Sequence, residues 1–426
     1  MKTFWFVLFL VITIGFTQTS QAQFFDKLKK KTEEKIKKEG EKRAEGQMNK
    51  GVEKAYDEAE KTLQGKKDSQ NPSETAQKSG NAAKANPKAS ESSTPAVVIN
   101  SKYDFIPGEK VIFFDDFTAE NIGDFPIQWN TTGSGEVVTT NLAEGRWFKI
   151  TNGRGIYTLM DPLALPDNYT IEFDVIPNGD PKNGSNSQFN FYLISTPKPK
   201  DMVYGIARPG GTGIKYNFSY NNYYSAYYSD GTPDLKGSDT EPKLSANKKY
   251  RISLWVQKER IRLYVDQTKL FDLPKAISRN AKYNMVRFDG GTPMISNFRV
   301  ATGLPDMRSK LLTEGKLVSY GIYFDVNKDV VKPESYPSIK EIAAILKDNP
   351  SLKIKIVGHT DADGDDKSNL DLSKHRSASV KNSLVSEFSI DGSRIETDGK
   401  GESEPVAPND NITNKALNRR VEFIKL

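Results

Sequence analysis

Cysteine is absent from this 426-residue sequence, and histidine occurs only twice. Without cysteine the chain can form no disulfide framework or thiolate metal site, and it offers neither a thiol nucleophile nor a cysteine for lipid attachment. Ser-His-Asp catalysis would need one of the histidines beside a nucleophile, and no GxSxG motif is present. We interpret His359 as a structural or rim residue at a strand end, and His375 as a solvated helix residue.

Long apolar runs are also scarce, and hydrophobic residues make up only 36% of the chain. The exception is the N-terminus, where Lys2 precedes an apolar core at residues 4–16 and a polar stretch that ends in SQA. This order is typical of a secretory signal peptide, and the core is shorter than the roughly 20 apolar residues of a transmembrane helix. We predict a signal peptide at residues 1–22, cleaved after Ala22, with a retained anchor as the alternative.

The next part of the chain is rich in charges of both signs. In residues 23–64 sparse apolar residues recur at helical spacing, but glycines interrupt them. We predict a partly helical, charged spacer, with a weak coiled coil or a surface helix as alternatives. Residues 65–99 are mostly Ser, Lys, Asn, Ala and Pro, which predicts a disordered linker. The net charge of +6 is mild for this length and does not indicate a nucleic-acid partner.

Residues 100–303 contain short runs of β-branched and aromatic residues separated by Gly, Asn, Asp and Pro. This pattern predicts an all-β sandwich or jelly roll. The motifs FDDF, GDFP, LPDNYTIEFDV, YRISLWVQKERIRLYVD and ISNFRV, in this order, resemble a concanavalin A-like or laminin G-like sandwich. We expect such a domain to bind a polysaccharide or an envelope protein.

Two carboxylates in the sandwich segment raise the question of catalysis. Glu172 and Asp174 lie two residues apart in one predicted strand, so their side chains face the same side of the sheet. Paired carboxylates are the chemistry of glycoside hydrolysis. A glucanase-type sandwich would carry a third carboxylate just downstream, where this chain has Ile176, Pro177 and Asn178. We predict no catalytic residue and keep a cell-wall-tethered glycoside hydrolase as the alternative function.

An aromatic-rich stretch follows at residues 216–228. Aromatic faces stack on sugar rings, so Tyr216, Tyr220 and Tyr224 are candidates for a glycan platform. Cross-strand packing of the sheet is the alternative interpretation. No dense set of Asp and Asn residues indicates a calcium site, and we expect neither a metal nor a cofactor.

Residues 310–426 show a different pattern, in which strand and helix periods alternate. The segments LKIKIVGHT, RIETDGKGE and RRVEFIKL predict strands, as does KLVSYGIYFDV at the start. The segments PESYPSIKEIAAILKDNP and SNLDLSKHRSASVKNSLVSEF predict helices. The order is βαβαββ, an α+β layer with helices packed on a sheet.

One acidic loop and one arginine in this region could form a binding site. Asp361 follows a predicted strand directly, and Arg376 shares a face of the next helix with Asn369 and Ser373. Between them, Gly364 lets the chain turn back. The aspartate could hold an ammonium group and the guanidinium fork a carboxylate, which together would bind a zwitterion. A structural salt bridge between loop and helix, or a pair of solvated charges, is the alternative.

Motifs along the whole of this region resemble the OmpA/MotB-type C-terminal domain, a peptidoglycan-binding module of bacterial envelope proteins. The matching segments are FDVNKDVV, GHTDADG, NLDLSKHR, GKGESEPVAPN and NRRVEF. The resemblance implies non-covalent binding of the peptidoglycan stem peptide, with Asp361 holding the amine of diaminopimelate and Arg376 its carboxylate. It further implies a pocket lined or shaped by Asn327, Asn369, Leu372, Ser373 and Arg420. Ser377 departs from the alanine usual after the helix arginine; serine is small, so we expect binding to survive.

These features together predict a multidomain, exported and non-enzymatic envelope protein. The α+β domain at residues 310–426 would anchor the β-sandwich to peptidoglycan. We expect it in the periplasm or associated with the outer membrane, with no transmembrane span once the signal peptide is removed.

Overall fold

The computed structural model of the chain describes residues 103–179, 188–197, 212–219, 222–227, 235–303 and 306–426. The predicted signal peptide, spacer and linker lie outside the described residues, as does Tyr220. The described residues belong to one compact unit, Ala96–Leu426, which contains two separate hydrophobic cores. In this part of the chain no helix combines the length and the apolar character needed to cross a membrane.

Two antiparallel sheets form the first half of the unit. The strands are β1 Lys110–Asp115, β2 Trp129–Thr131, β3 Gly135–Val138, β4 Trp147–Ile150, β5 Tyr157–Leu159, β6 Asn168–Ile176, β7 Phe189–Ser195, β8 Thr212–Phe218, β9 Asn222–Tyr227, β10 Leu235–Asp239, β11 Tyr250–Gln257, β12 Arg260–Val265, β13 Thr268–Leu273, β14 Met285–Asp289 and β15 Met294–Thr302. Where the structure describes it, one sheet has the order β13-β12-β11-β6-β15-β4-β3, with β1 also paired to β15, and the other has the order β10-β9-β8-β7-β14-β5-β2.

The two sheets pack face to face on an aromatic core. The ring centroids of Phe173 on β6 and Phe191 on β7 are 5.1 Å apart, and Phe288 on β14 lies 5.2 Å from Phe173. Alternate residues of each strand point into this layer, as the period of two requires. The predicted β-rich sandwich is therefore confirmed, while its jelly-roll or concanavalin A-like topology stays a prediction.

A third sheet and several helices form the second half of the unit. The elements are α1 Met307–Ser309, which continues into a π-helical turn Lys310–Glu314, β16 Lys316–Ser319, α2 Tyr336–Asp348, β17 Ile354–His359, α3 Asp366–Ser386, β18 Ile395–Gly401, α4 Ile412–Asn418 and β19 Val421–Lys425, with 3-10 turns at Pro333–Ser335 and Gly392–Arg394. The described part of this sheet has the order β16-β19-β17-β18, and only β17 and β18 run parallel. The prediction of an α+β region is confirmed, with one added helix before the last strand.

Helix α3 carries the predicted arginine, and local signals explain where it begins and how it packs. The side chain of Asp365 accepts a hydrogen bond of 3.0 Å from the backbone N–H of Ser368 and so caps the helix. Gly358 on β17 and Gly399 on β18 allow close approach, because a Cβ atom at either position would lie within 2.5 Å of the α3 backbone. The acidic loop and the arginine are thus held on tightly packed elements.

Candidate ligand-binding site

A cavity of about 550 Å³ lies between the sandwich and the C-terminal domain. Its size is in the usual range for small-ligand sites, which is about 300–1,000 Å³. Six of the predicted site residues line it, and the sandwich contributes further lining residues that the sequence did not suggest. The predicted residues in the lining are Asn327, Asp361, Asn369, Leu372, Arg376 and Arg420, the last of which directly precedes β19. The lining residues from the sandwich include Phe114, Asp116, Glu144 and Arg146.

Asp361 is buried at the C-terminal end of β17 and is already engaged on both carboxylate oxygens. Its Oδ2 lies 2.6 Å from Nη1 of Arg419, and its Oδ1 accepts a hydrogen bond of 3.1 Å from the backbone N–H of Asp363. The expected turn is present, since Gly364 has a φ of 98°. Asp361 therefore pairs with Arg419 rather than with Arg376, and the alternative of an Asp361–Arg376 salt bridge is wrong.

Arg376 has no carboxylate partner among the described residues. Its Nε and Nη2 atoms donate to the backbone carbonyls of Lys328 and Asp325 at 3.0 and 3.2 Å, and its guanidinium carbon lies 4.8 Å from the ring centroid of Phe324. Burial, and then the like charge of Arg419, lowers the pKa of Arg376 to about 10. The side chain is thus a positioned cation that a bound carboxylate would stabilise.

Two predicted asparagines, Asn327 and Asn369, line the cavity together with this cation. Asn327 is exposed in the turn before Val331 and has a φ of 56°, a conformation that asparagine tolerates better than most residues. The side-chain amide of Asn369 donates to the carbonyls of Asp361 and Asp363 at 3.3 and 3.0 Å. Asn369 therefore shapes the acidic loop from the first turn of α3.

Two further predicted site residues are held by hydrogen bonds within the C-terminal domain. Ser373 is fully buried and does not line the cavity; its hydroxyl donates to the Leu370 carbonyl and accepts from the Gly401 N–H. Arg420 lines the cavity, but its Nε donates at 2.9 Å to the buried carboxylate of Glu422. Ser373 and Arg420 thus act through packing and positioning.

His359 is buried beside the same carboxylate. Its Nε2 lies 3.6 Å from Oε2 of Glu422, which is too long for a hydrogen bond. Burial raises the pKa of the Glu422 carboxyl, but His359, Lys316 and Arg420 lower it by more. The pKa of this carboxyl is therefore well below its usual range. This arrangement fits the structural role predicted for His359.

Glu172 and Asp174 are buried on β6, where cationic side chains surround them. Arg251 donates to Oε2 of Glu172 at 3.0 Å and to Oδ1 of Asp174 at 3.1 Å, and Arg299 lies 3.3 Å from Glu172 Oε1. Burial opposes ionisation of Asp174, but Arg251 and other cations outweigh it, so the pKa of this carboxyl is below its usual value. Asp174 lines the cavity, whereas Glu172 does not. The geometry is that of a structural ion network.

The predicted glycan platform is wrong for Tyr216 and Tyr224, because both side chains point into the core. They are register partners on β8 and β9, and their rings pack against Phe271 at centroid distances of 6.3 and 4.8 Å. A period of two shows which residues of a strand share a face, but it does not show which of the two faces is buried. Cross-strand packing is the interpretation that holds here.

Within the described ranges, no group of three or more His, Asp or Glu side chains is placed to hold a metal ion. The candidate site is instead built from opposite charges, with Asp361 at one side of the cavity and Arg376 at another. Sequence reasoning missed Arg419 and Asp116. The only available signals were the NRRVEF and FDDF motifs that contain them.

Comparison with known proteins places the C-terminal region in a family. Residues 323–419 match the OmpA family. This segment is an OmpA family domain. A region of 105 residues is 42% identical to outer membrane porin F of Pseudomonas aeruginosa, and it covers 25% of this chain and 30% of that protein. A region of 102 residues is 36% identical to the probable lipoprotein YiaD of Escherichia coli, covering 24% of this chain and 46% of that protein.

The OmpA family domain is also similar to a solved structure, that of the peptidoglycan-associated lipoprotein from Burkholderia pseudomallei. The sequence identity is 28%, with 25% of this chain and 88% of that chain covered, and the TM-score is 0.24. The chain spans less than half of the length of the two relatives named above. Each of these three similarities covers about a quarter of this chain.

Proposed function

We propose that the OmpA family domain binds peptidoglycan non-covalently and anchors the sandwich in the cell envelope. The ligand group would be the zwitterionic end of diaminopimelate in the stem peptide, with its carboxylate on Arg376 and its ammonium on Asp361. The sandwich would bind a polysaccharide or an envelope protein. The names of the relatives, an outer membrane porin and a probable lipoprotein, support a location in the periplasm or at the outer membrane.

Arg376 carries this proposal. A guanidinium that is largely withdrawn from water and lacks a carboxylate partner among the described residues is a costly arrangement. The cost is reduced when a carboxylate binds, because the ion pair and its hydrogen bonds replace the lost hydration. The two backbone carbonyls and the Phe324 ring hold the guanidinium at the cavity before any ligand arrives.

In this proposal the protein is not an enzyme. Both carboxylates of the alternative hydrolase mechanism, Glu172 and Asp174, are engaged by arginines, and Glu172 is only 1% exposed. A general acid and a nucleophile would both need access to a sugar.

The test is calorimetric titration of the purified protein with a stem peptide that contains diaminopimelate. We expect Arg376→Gln and Asp361→Asn each to weaken binding about ten- to a hundredfold, the usual effect of losing one charge-assisted contact. Arg308→Gln and Asp391→Asn are matched controls on exposed residues of the same region, and we expect them to bind like wild type. The proposal fails if the folded wild-type protein does not bind, or if Arg376→Gln binds equally well.

A further inference from the structure

Arg419 lies between two carboxylates that belong to different halves of the unit. Its Nη1 is 2.6 Å from Oδ2 of Asp361 in the OmpA family domain, and its Nη2 is 3.8 Å from Oδ2 of Asp116 in the sandwich. Its guanidinium carbon is 5.0 Å from the ring centroid of Phe114. The Nη2 atom is buried and makes no hydrogen bond within the described residues.

The position of Arg419 has a consequence for any ligand with an ammonium group. The proposed function places that ammonium on Asp361, but Oδ2 of Asp361 already holds Arg419, and Oδ1 holds the Asp363 N–H. A second cation at Asp361 would be repelled by the guanidinium unless the guanidinium moves away. Such a move needs another acceptor within reach, because an unpaired buried charge is costly.

Asp116 is placed to be that acceptor. Its Oδ1 accepts hydrogen bonds from the N–H and hydroxyl of Thr118, at 3.1 and 2.6 Å. Its Oδ2 has Arg419 as its charged neighbour in the described structure, at a distance about 1 Å longer than a close charge-assisted bond. A small rotation of the guanidinium toward Asp116 would form that bond and release Asp361.

The sandwich holds both groups in place for this exchange. Asp115 points into the sandwich core, so the strand alternation turns Phe114 and Asp116 toward the cavity. The backbone N–H of Phe114 donates a hydrogen bond of 3.0 Å to Oγ1 of Thr413 on α4, the helix that ends beside Arg419. The two halves are therefore joined next to the two carboxylates.

We propose that Asp116 is a positioning residue of the ligand site, which takes Arg419 from Asp361 when a ligand ammonium binds. The inference rests on the proposed function of the cavity. It makes the site composite, because a residue of the sandwich determines how well the OmpA family domain accepts an amine. A ligand with the carboxylate alone would leave Arg419 on Asp361 and would not depend on Asp116.

The test compares two probes on the full protein by calorimetric titration. One is the diaminopimelate stem peptide, and the other is the same peptide with its free side-chain amino group acetylated. We expect Asp116→Asn to weaken binding of the free amine about tenfold, through the loss of one charge-assisted contact, and to leave the acetylated peptide unchanged. Asp116→Glu, which keeps the carboxylate, should recover most of the affinity. Asp124→Asn, at an exposed carboxylate that accepts a hydrogen bond from Asn121, is the control.

The outcomes separate the two proposals. If wild type binds the free amine and Asp361→Asn does not, but Asp116→Asn matches wild type, the role of Asp116 is refuted and the proposed function stands. Equal weakening of both peptides by Asp116→Asn would mean a merely structural role and would also refute it. If wild type binds neither peptide, the proposed function fails, and this inference fails with it.

Discussion

The hydroxyl of Tyr323 donates a hydrogen bond of 2.7 Å to Oε2 of Glu172, and this bond joins the C-terminal domain to the sandwich. The same hydroxyl lies 3.0 Å from Nη1 of Arg299, which also donates to the backbone carbonyl of Tyr320. A buried ion network thus crosses the boundary between the two cores. Through this bond and its contact with Arg299, Glu172 contributes to holding the two halves together.

We expect Tyr323→Phe to lower the free energy of unfolding by about 1–3 kcal/mol, because it leaves a buried carboxylate without one of its donors. The measurement is urea unfolding followed by fluorescence. Tyr336→Phe is the control, since Tyr336 is 39% exposed at the start of α2, and we expect a change of less than about 0.5 kcal/mol. Equal effects of the two substitutions would contradict a role for the Tyr323 hydroxyl.

Glu172→Gln should destabilise the protein by about 3–5 kcal/mol, because it leaves two buried arginines without their shared carboxylate. Glu136→Gln, at a half-exposed carboxylate paired with Lys149, should cost at most about 1 kcal/mol. The hydrolase alternative makes the opposite prediction, namely loss of glycan hydrolysis at nearly unchanged stability. Unfolding curves and a hydrolysis assay on the same two variants distinguish the two.

Gly358→Ala should both destabilise the fold and weaken ligand binding. The added Cβ would lie 2.3 Å from the carbonyl oxygen of Ser373, so α3 must move away from β17, and with it Arg376 from Asp361. Overpacking of this kind costs about 1–3 kcal/mol. Gly392→Ala is the control, because its Cβ would meet Val385 at an ordinary 3.5 Å. Unfolding and titration with the stem peptide test both effects, and unchanged binding by a stable Gly358→Ala variant would contradict them.

Stability should also depend on the protonation of Asp115. Burial raises the pKa of this carboxyl from 3.8 to about 7, although hydrogen bonds from the Phe117 N–H and the Trp129 indole act against the shift. Between these two pKa values Asp115 binds more protons in the folded state than in the unfolded state. Its contribution to the free energy of unfolding therefore falls as the pH rises. The slope is at most about 1.4 kcal/mol per pH unit, and it levels off above the folded-state pKa.

The check is urea unfolding of wild type and Asp115→Asn at a series of pH values. The difference between the two curves isolates the contribution of Asp115 from that of other carboxyls. One of these is Glu422, whose pKa is shifted in the opposite direction, below its usual value. Asp124→Asn should follow the wild-type curve. A parallel pH dependence in wild type and Asp115→Asn would show that Asp115 does not titrate in this window.

Local periodicity predicted most of the elements in the described part of the chain. The buried face of α2, with Ile339, Ile342 and Leu346, follows from the helical period of 3.6. The seven-residue helix α4 was missed, because so short a segment shows no clear period and is stabilised by packing.

The same periods could not predict which face of a strand is buried or which charged residues form ion pairs. A period of two left open which face of β8 and β9 is buried, and burial against Phe271 decides this for Tyr216 and Tyr224. Nothing local shows that Asp361 pairs with a residue 58 positions later, Arg419. Such pairing depends on which strand ends lie side by side in the folded sheet.

The sequence by itself determined the order of strands and helices, the OmpA-like motifs and the presence of Asp361 and Arg376 on a loop and a helix. These features depend on residues within a few positions of one another, where backbone geometry sets the spacing. Only the tertiary structure decided that Arg376 has no carboxylate partner among the residues that the structure describes, that Arg419 pairs with Asp361, and that the sandwich supplies Asp116. Those contacts join residues far apart in the chain, so they follow from packing and the desolvation of charge, which no local pattern encodes.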